Sequence, residues 1–171
     1  EDRSDKGSWD EKIIGLCNKI NGKENYYTTS SCSGRVILIK ASDKKESGLF
    51  LFRSHKKINF SELKNKLKSI KYKGLVYFKQ EPCILHVACN TIGNAQELLN
   101  KAKLCGWKRS GIMATKKRIV LELMSTEHLE FPIMNKGKLL VSSNFLKLIV
   151  KEANKKLRRT WKKINCLNTK I

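Results

Sequence analysis

Apolar runs come in pairs in this chain, and the short polar links inside each pair limit the folds it can reach. Residues 35–41 and 48–54 are joined by the turn SDKKES, runs at 74–80 and 83–89 flank Glu81-Pro82, and runs at 111–116 and 118–124 meet at Lys116-Lys117. Such links read as turns between antiparallel strands. Helical spacing falls between the pairs. Residues 8–21 carry apolar side chains at 13, 14, 16, 17 and 20, with Ser8 as cap and Asp10 and Glu11 in the first turn. Phe60, Leu63, Leu67 and Ile70 share one face of a helix near 60–70, the stretch IGNAQELLNKAKLCGW is a helix ended by Gly106, and a long helix is expected at 143–163.

One order occurs twice. A helix, a Ser-Gly step and a hairpin give SCSGRVILIK…GLFLFR within 10–53 and KRSGIMATKKRIVLEL within 94–124. The expected fold is therefore mixed α+β: two related helix–hairpin halves around a mainly antiparallel sheet system, with Ser33-Gly34 and Ser110-Gly111 in equivalent places. At 171 residues the chain suits one domain spanning 1–171, or at most two small intertwined ones. No two glycines are separated by a single residue, so the dinucleotide fingerprint of a doubly wound fold cannot occur. A P-loop and a G-x-S-x-G elbow are absent as well.

Thirty-six Lys and Arg against fifteen Asp and Glu give a net charge of +21. Pairing cannot cancel that excess, which makes a polyanion, nucleic acid before membrane surface, the first partner to consider. The 143–163 helix concentrates it. Apolar Phe145, Ile149, Ala153, Leu157 and Ile164 recur at roughly four-residue steps, while Lys151, Lys155, Arg158, Arg159 and Lys162 occupy other faces. Either this is a solvated face or it tracks phosphates, and like charges one turn apart favour the second, because a polyanion relieves their repulsion. No apolar run approaches the ~20 residues of a bilayer span, and no charged-then-apolar leader reads as a signal peptide. The six cysteines, at 17, 32, 83, 89, 105 and 166, form no C-x-x-C pair, and the three histidines are not spaced to complete a zinc site. The expectation is a cytoplasmic protein with reduced thiols and no metal, with Cys17, Cys83 and Cys105 as small core side chains.

The densest polar stretch is YYTTSSCSGR at 26–35. It reads as a loop of hydroxyls and backbone N–H groups at the mouth of a buried strand. Gly34 permits close approach or a positive φ, and Arg35 offers a bidentate fork. Such a loop can hold a small charged molecule, or it can be a Ser/Thr turn that satisfies itself. Cys32 is either a nucleophile needing a nearby histidine or a structural residue. His86, in the apolar CILHVAC, is either a hydrogen-bonded core residue or a base.

The sequence closely resembles the wybutosine-synthesis tRNA methyltransferase family, the third enzyme of that pathway and its archaeal counterparts. The matching blocks are DRSDKGSWDE (2–11), YYTTSSCSGR (26–35), SH (54–55), EPCILHVAC (81–89), AQ (95–96), RSGI (109–112), ST with LEFP (125–132), KGKLLV (136–141) and EAN (152–154), in the family's order. The resemblance implies methyl transfer from S-adenosylmethionine to a ring nitrogen of the tricyclic guanosine derivative beside the anticodon of phenylalanine tRNA, on a fold unlike the Rossmann methyltransferases. Site residues expected on that basis are His86 or Asp10 as base and Thr29, Ser30, Ser31, Cys32, Ser33, Ser110 and Gly111 around the cofactor. Lys6, Arg35, Lys151, Lys155, Arg158, Arg159 and Lys162 would meet the RNA, and Tyr26, Tyr27 or Trp107 would stack the extruded base. Two other readings stay open: a non-catalytic RNA-binding module and a Cys32-dependent enzyme.

Overall fold

The computed structural model describes residues 9–42, 47–114 and 118–171. The elements run α1 (Ile14–Asn21), β1 (Tyr26–Cys32), β2 (Arg35–Lys40), β3 (Phe50–Ser54), α2 (Phe60–Ser69), β4 (Val76–Glu81), β5 (Ile84–Cys89), α3 (Ile92–Leu104), β6 (Gly111–Ala114), β7 (Ile119–Met124), β8 (Leu129–Asn135), β9 (Lys138–Leu139) and α4 (Ser143–Lys170). All strand pairs are antiparallel and fall into two sheets, β1-β5-β7-β6 and β3-β2-β4-β8-β9. The expected mixed α+β, mainly antiparallel fold is what the chain adopts. It divides into two units, and α4 contributes to both.

The first unit holds residues 35–81 and 128–157, with the five-stranded sheet, α2 and the first half of α4. Val36, Ile37 and Leu38 are all buried, as expected of an interior strand covered on both faces. Asn59 caps α2 by accepting from Glu62 N at 2.8 Å, and Leu63 and Leu67 turn inward. Asn154 on α4 accepts from Ile58 N (3.0 Å) and donates to Ile58 O (2.8 Å), tying the entry to α2 onto that helix.

The second unit holds residues 9–34, 82–127 and 158–171. One face of its four-stranded sheet packs on α1, α3 and the end of α4 through Leu16, Cys17, Ile20, Leu85, Val87, Leu98, Leu99, Leu121, Leu123, Ile164 and Leu167. Gly106 stands at φ +86° after α3, the left-handed position that ends helices most readily with glycine. A Cβ there would lie 2.9 Å from Lys163 Cε. Trp107 follows, fully buried, donating Nε1–H to Lys163 O at 3.1 Å.

Several expectations need correction. The stretch expected as a loop is the strand β1, where outward hydroxyls blur the apolar alternation and a bulge between Thr28 and Ser30 shifts its phase. The helix expected from Ser8 begins at Ile14 with no side-chain cap, and Ser8 lies outside the described residues. The Lys116-Lys117 turn also lies outside them. Phe145 is 37% exposed, so the α4 seam starts at Leu146 and runs on through Ile164 and Leu167, carrying the helix to Lys170. The thiols are not all reduced. Cys105 and Cys166 form a disulfide, because α3 ends beside the last turns of α4 with the two Cα atoms 5.6 Å apart. The two Ser-Gly steps also sit differently: Gly34 has φ +90° before an interior strand, whereas Gly111 opens the edge strand β6.

Candidate functional site

Side chains on β5 alternate, so Leu85, Val87 and Cys89 enter the core of the second unit and His86 stands on the opposite face. Register then builds a row across the sheet: Ser30 on β1 faces His86 on β5, His86 faces Glu122 on β7, and Glu122 faces Gly111 on β6. The row is hydrogen-bonded. His86 Nδ1 lies 2.9 Å from Ser30 Oγ, and Nε2 lies 2.8 Å from Glu122 Oε2. Gly111 extends it with open space, since a Cβ there would meet nothing within 4 Å. Thr29 Oγ1 donates to His86 O at 3.4 Å. Tyr27, 52% exposed, accepts from Arg118 Nη1 at 3.1 Å, and Met113 is 49% exposed.

Donor and acceptor chemistry orients the row. An ionised carboxylate only accepts, so a neutral ring bound this way donates Nε2–H to Glu122 and accepts from the Ser30 hydroxyl at Nδ1. The imidazole is fixed at both nitrogens between a hydroxyl and a carboxylate, while the side chains of His86 and Glu122 stay 28% and 33% exposed.

A second polar point lies at the far end of β1. Asp10 Oδ2 accepts from Ser33 N at 2.7 Å, and the buried Ser33 hydroxyl has no hydrogen-bond partner among the described residues. Three residues of strand separate Ser33 from Ser30, roughly 10 Å, so Asp10 and His86 are not brought to one spot.

Other expected cofactor residues are turned elsewhere. Ser31 pairs with Leu85 and faces the core, where its hydroxyl counters the burial that pushes the Cys17 thiol up. Ser110 locks a turn, donating to Trp107 O (2.6 Å) and accepting from Met124 N (3.0 Å). Cys32 closes β1 opposite Ile84. Burial pushes Cys83 up to about 12 and Cys89 up to about 11, so neither is a thiolate at neutral pH. Trp107, in the core, has no face for a base. Tyr26 is half-buried and donates to Asn94 O at 3.0 Å, which leaves Tyr27 as the exposed ring.

Of the residues expected to meet RNA, Lys151, Lys155, Arg158, Arg159 and Lys162 are all exposed along one helix. Lys155 also pairs with Glu152 at 3.6 Å. Arg35 is held in the first unit by Glu81 (Nε–Oε2 2.5 Å) over the Phe50 ring, its side chain 15% exposed. Lys6 lies outside the described residues.

Comparison with known proteins gives the chain its family. The sequence profile described as Methyltransferase TYW3 matches residues 1–171. The chain belongs to the TYW3 methyltransferase family. A family member of Thermococcus sibiricus, named tRNA(Phe) 7-((3-amino-3-carboxypropyl)-4-demethylwyosine(37)-N(4))-methyltransferase, is 38% identical over 99% of this chain and 87% of its own length. The tRNA wybutosine-synthesizing protein 3 homolog of Xenopus laevis is 39% identical over 95% of this chain and 66% of its own. Among solved structures, the PH1069 protein of Pyrococcus horikoshii superposes with a TM-score of 0.88 at 35% identity, covering 96% of this chain and 84% of that one.

Sequence reasoning missed Glu122 in this TYW3 chain. Its signal was a lone acid between Leu121 and Leu123, an outward position on an otherwise apolar strand.

Proposed function

We propose that this protein methylates the N4 nitrogen of a demethylated wyosine-type guanosine in phenylalanine tRNA, the reaction its archaeal relatives are named for, and that S-adenosylmethionine is the methyl donor. The observation that carries the reading is the Ser30–His86–Glu122 row, an oriented proton acceptor on the face of a sheet in a methyltransferase family chain.

S-adenosylmethionine supplies an electrophilic methyl group on a sulfonium. The protein's own task is to hold the acceptor nitrogen about 3–3.5 Å from that methyl, in line, and to accept its proton. The row supplies the acceptor. The unpartnered Ser33 hydroxyl beside Asp10 fits a polar cofactor of this kind, and the space left open at Gly111, at the opposite edge of the sheet, leaves room for the base. Ser33, Asp10 and Thr29, on or beside β1, would hold it, while Ser31 and Ser110 keep their structural bonds. Tyr27, on the same sheet, offers a ring on which an extruded base gains ~1–3 kcal/mol. Lys151, Lys155, Arg158, Arg159 and Lys162 would follow the phosphates.

Calorimetry with S-adenosylmethionine, paired with methylation of undermodified phenylalanine tRNA, tests the reading. Micromolar-range binding and turnover that falls at least ~10²-fold in His86→Ala are expected. Tight tRNA binding without heat from the cofactor would instead make the protein an RNA-binding module.

A further inference from the structure

The row carries more than a histidine base. Both imidazole nitrogens of His86 are already engaged, Nδ1 by Ser30 Oγ and Nε2 by Glu122 Oε2, so no ring lone pair is left to face a substrate. Ser30 is exposed, and its oxygen keeps lone pairs after donating its hydrogen to Nδ1. We infer that Ser30 is the catalytic residue that takes the proton from the acceptor nitrogen, passing its own to His86, and that Glu122 is a positioning residue acting through His86. The inference rests on the proposed methyl transfer and names how that site moves its proton.

The step balances. A demethylated ring nitrogen carries the hydrogen that methylation displaces. As the N–CH3 bond forms and the donor's C–S bond breaks with its electron pair left on sulfur, the nitrogen's N–H bond breaks and a new O–H bond forms on Ser30. Ser30's original O–H bond breaks in concert and an Nδ1–H bond forms. The resulting imidazolium is held against the Glu122 carboxylate, and its partial exposure lets water remove the proton for the next cycle. Gly111, opposite Glu122, keeps this end of the row uncovered by a side chain of its own.

Glu122 has two separable duties. Accepting from Nε2–H selects the ring tautomer in which Nδ1 is the acceptor, and its charge stabilises the imidazolium. A glutamine can do the first through its amide oxygen but not the second, and an alanine can do neither.

The experiment combines single-turnover methyl transfer at saturating cofactor and tRNA with nitrogen-15 spectra of the His86 ring and calorimetric cofactor affinity. In the parent the neutral ring should be the Nε2–H tautomer. Ser30→Ala should slow the single turnover by roughly 10²-fold with cofactor and tRNA affinities within about twofold, and Ser30→Thr, which keeps the hydroxyl, should restore most of the rate. Glu122→Ala should give a mixed tautomer spectrum and a slowed turnover, while Glu122→Gln should keep the tautomer and recover part of the rate. A parent ring protonated on Nδ1, or Ser30→Ala turning over within about twofold of an active parent, overturns the relay and leaves the methyltransferase reading standing. A parent that neither binds the cofactor nor methylates tRNA overturns that reading, and the relay falls with it.

Discussion

The described residues of the first unit carry 17 Lys and Arg against four acids, and those of the second carry 13 against six. Glu81, Glu130 and Glu152 in the first unit are each spent on a neighbouring cation. In the second, Glu97 and Glu127 are likewise paired with Lys101 and Lys163, but Glu122 faces a histidine and Asp10 faces a backbone N–H beside an orphan hydroxyl. The contrast separates two kinds of work. Lysines stay protonated at neutral pH, so a surface of them attracts and holds a polyanion without moving protons. A hydroxyl, an imidazole and a carboxylate in register can move one, and among the described residues the second unit's sheet lines up that set. On the proposed function, capture by the α4 cations, which fall in both units, and chemistry by the row draw on different residues, and each should break alone.

The largest expected effect tests whether the row depends on the core beneath it. Trp107 is fully buried and anchored to Lys163 O. Trp107→Ala should cost about 3–5 kcal/mol in urea unfolding. A loss below 1 kcal/mol would mean that this side of the sheet is not held by packing.

A smaller effect concerns capture. Arg158→Ala/Arg159→Ala should weaken tRNA binding and flatten its salt dependence by roughly one slope unit per lost phosphate contact. Cofactor affinity should stay unchanged. Parallel salt plots with unaltered affinity would show a merely solvated face.

The smallest effect is a pH dependence. Glu127 is buried, which raises its pKa, but the hydrogen bond (2.5 Å) and charge of Lys163 outweigh burial and hold the carboxyl below its usual value. Its stabilising contribution is therefore complete above the ordinary carboxylate range, near 4.3, and lost as pH falls through the lower folded value. Lys163→Met should make the acid-side loss of stability shallower, read from urea midpoints between pH 5 and pH 3. An unchanged slope would remove the pair from the account.

How far the molecule was legible in its residues follows from the same contrast. Hairpins and helices with strong apolar periodicity, such as Arg35–Lys40, Phe60–Ser69 and Ile92–Leu104, stand within a residue or two of the expected positions. β1 did not, because hydroxyls on a strand's outer face look like loop chemistry and the Thr28/Ser30 bulge breaks the period of two. β8 and β9 escaped notice altogether, one interrupted by Pro132 and the other only two residues long. The Cys105–Cys166 bridge joins positions 61 apart and required knowing that α3 and α4 end side by side. At the site, His86 was visible as a polar residue in an apolar strand. Its orientation by Ser30 and Glu122 depends on cross-strand register, which no local pattern encodes.

The division between capture and chemistry is tested most directly by a paired measurement of tRNA affinity and single-turnover methyl transfer at saturating tRNA. The variants are His86→Ala and Lys151→Ala/Lys155→Ala. His86→Ala should keep tRNA affinity within about twofold and lose at least ~10²-fold in rate. The lysine pair should lose affinity, by roughly tenfold at moderate salt, and keep the saturated rate. Equal losses of rate and affinity in both variants would contradict the division.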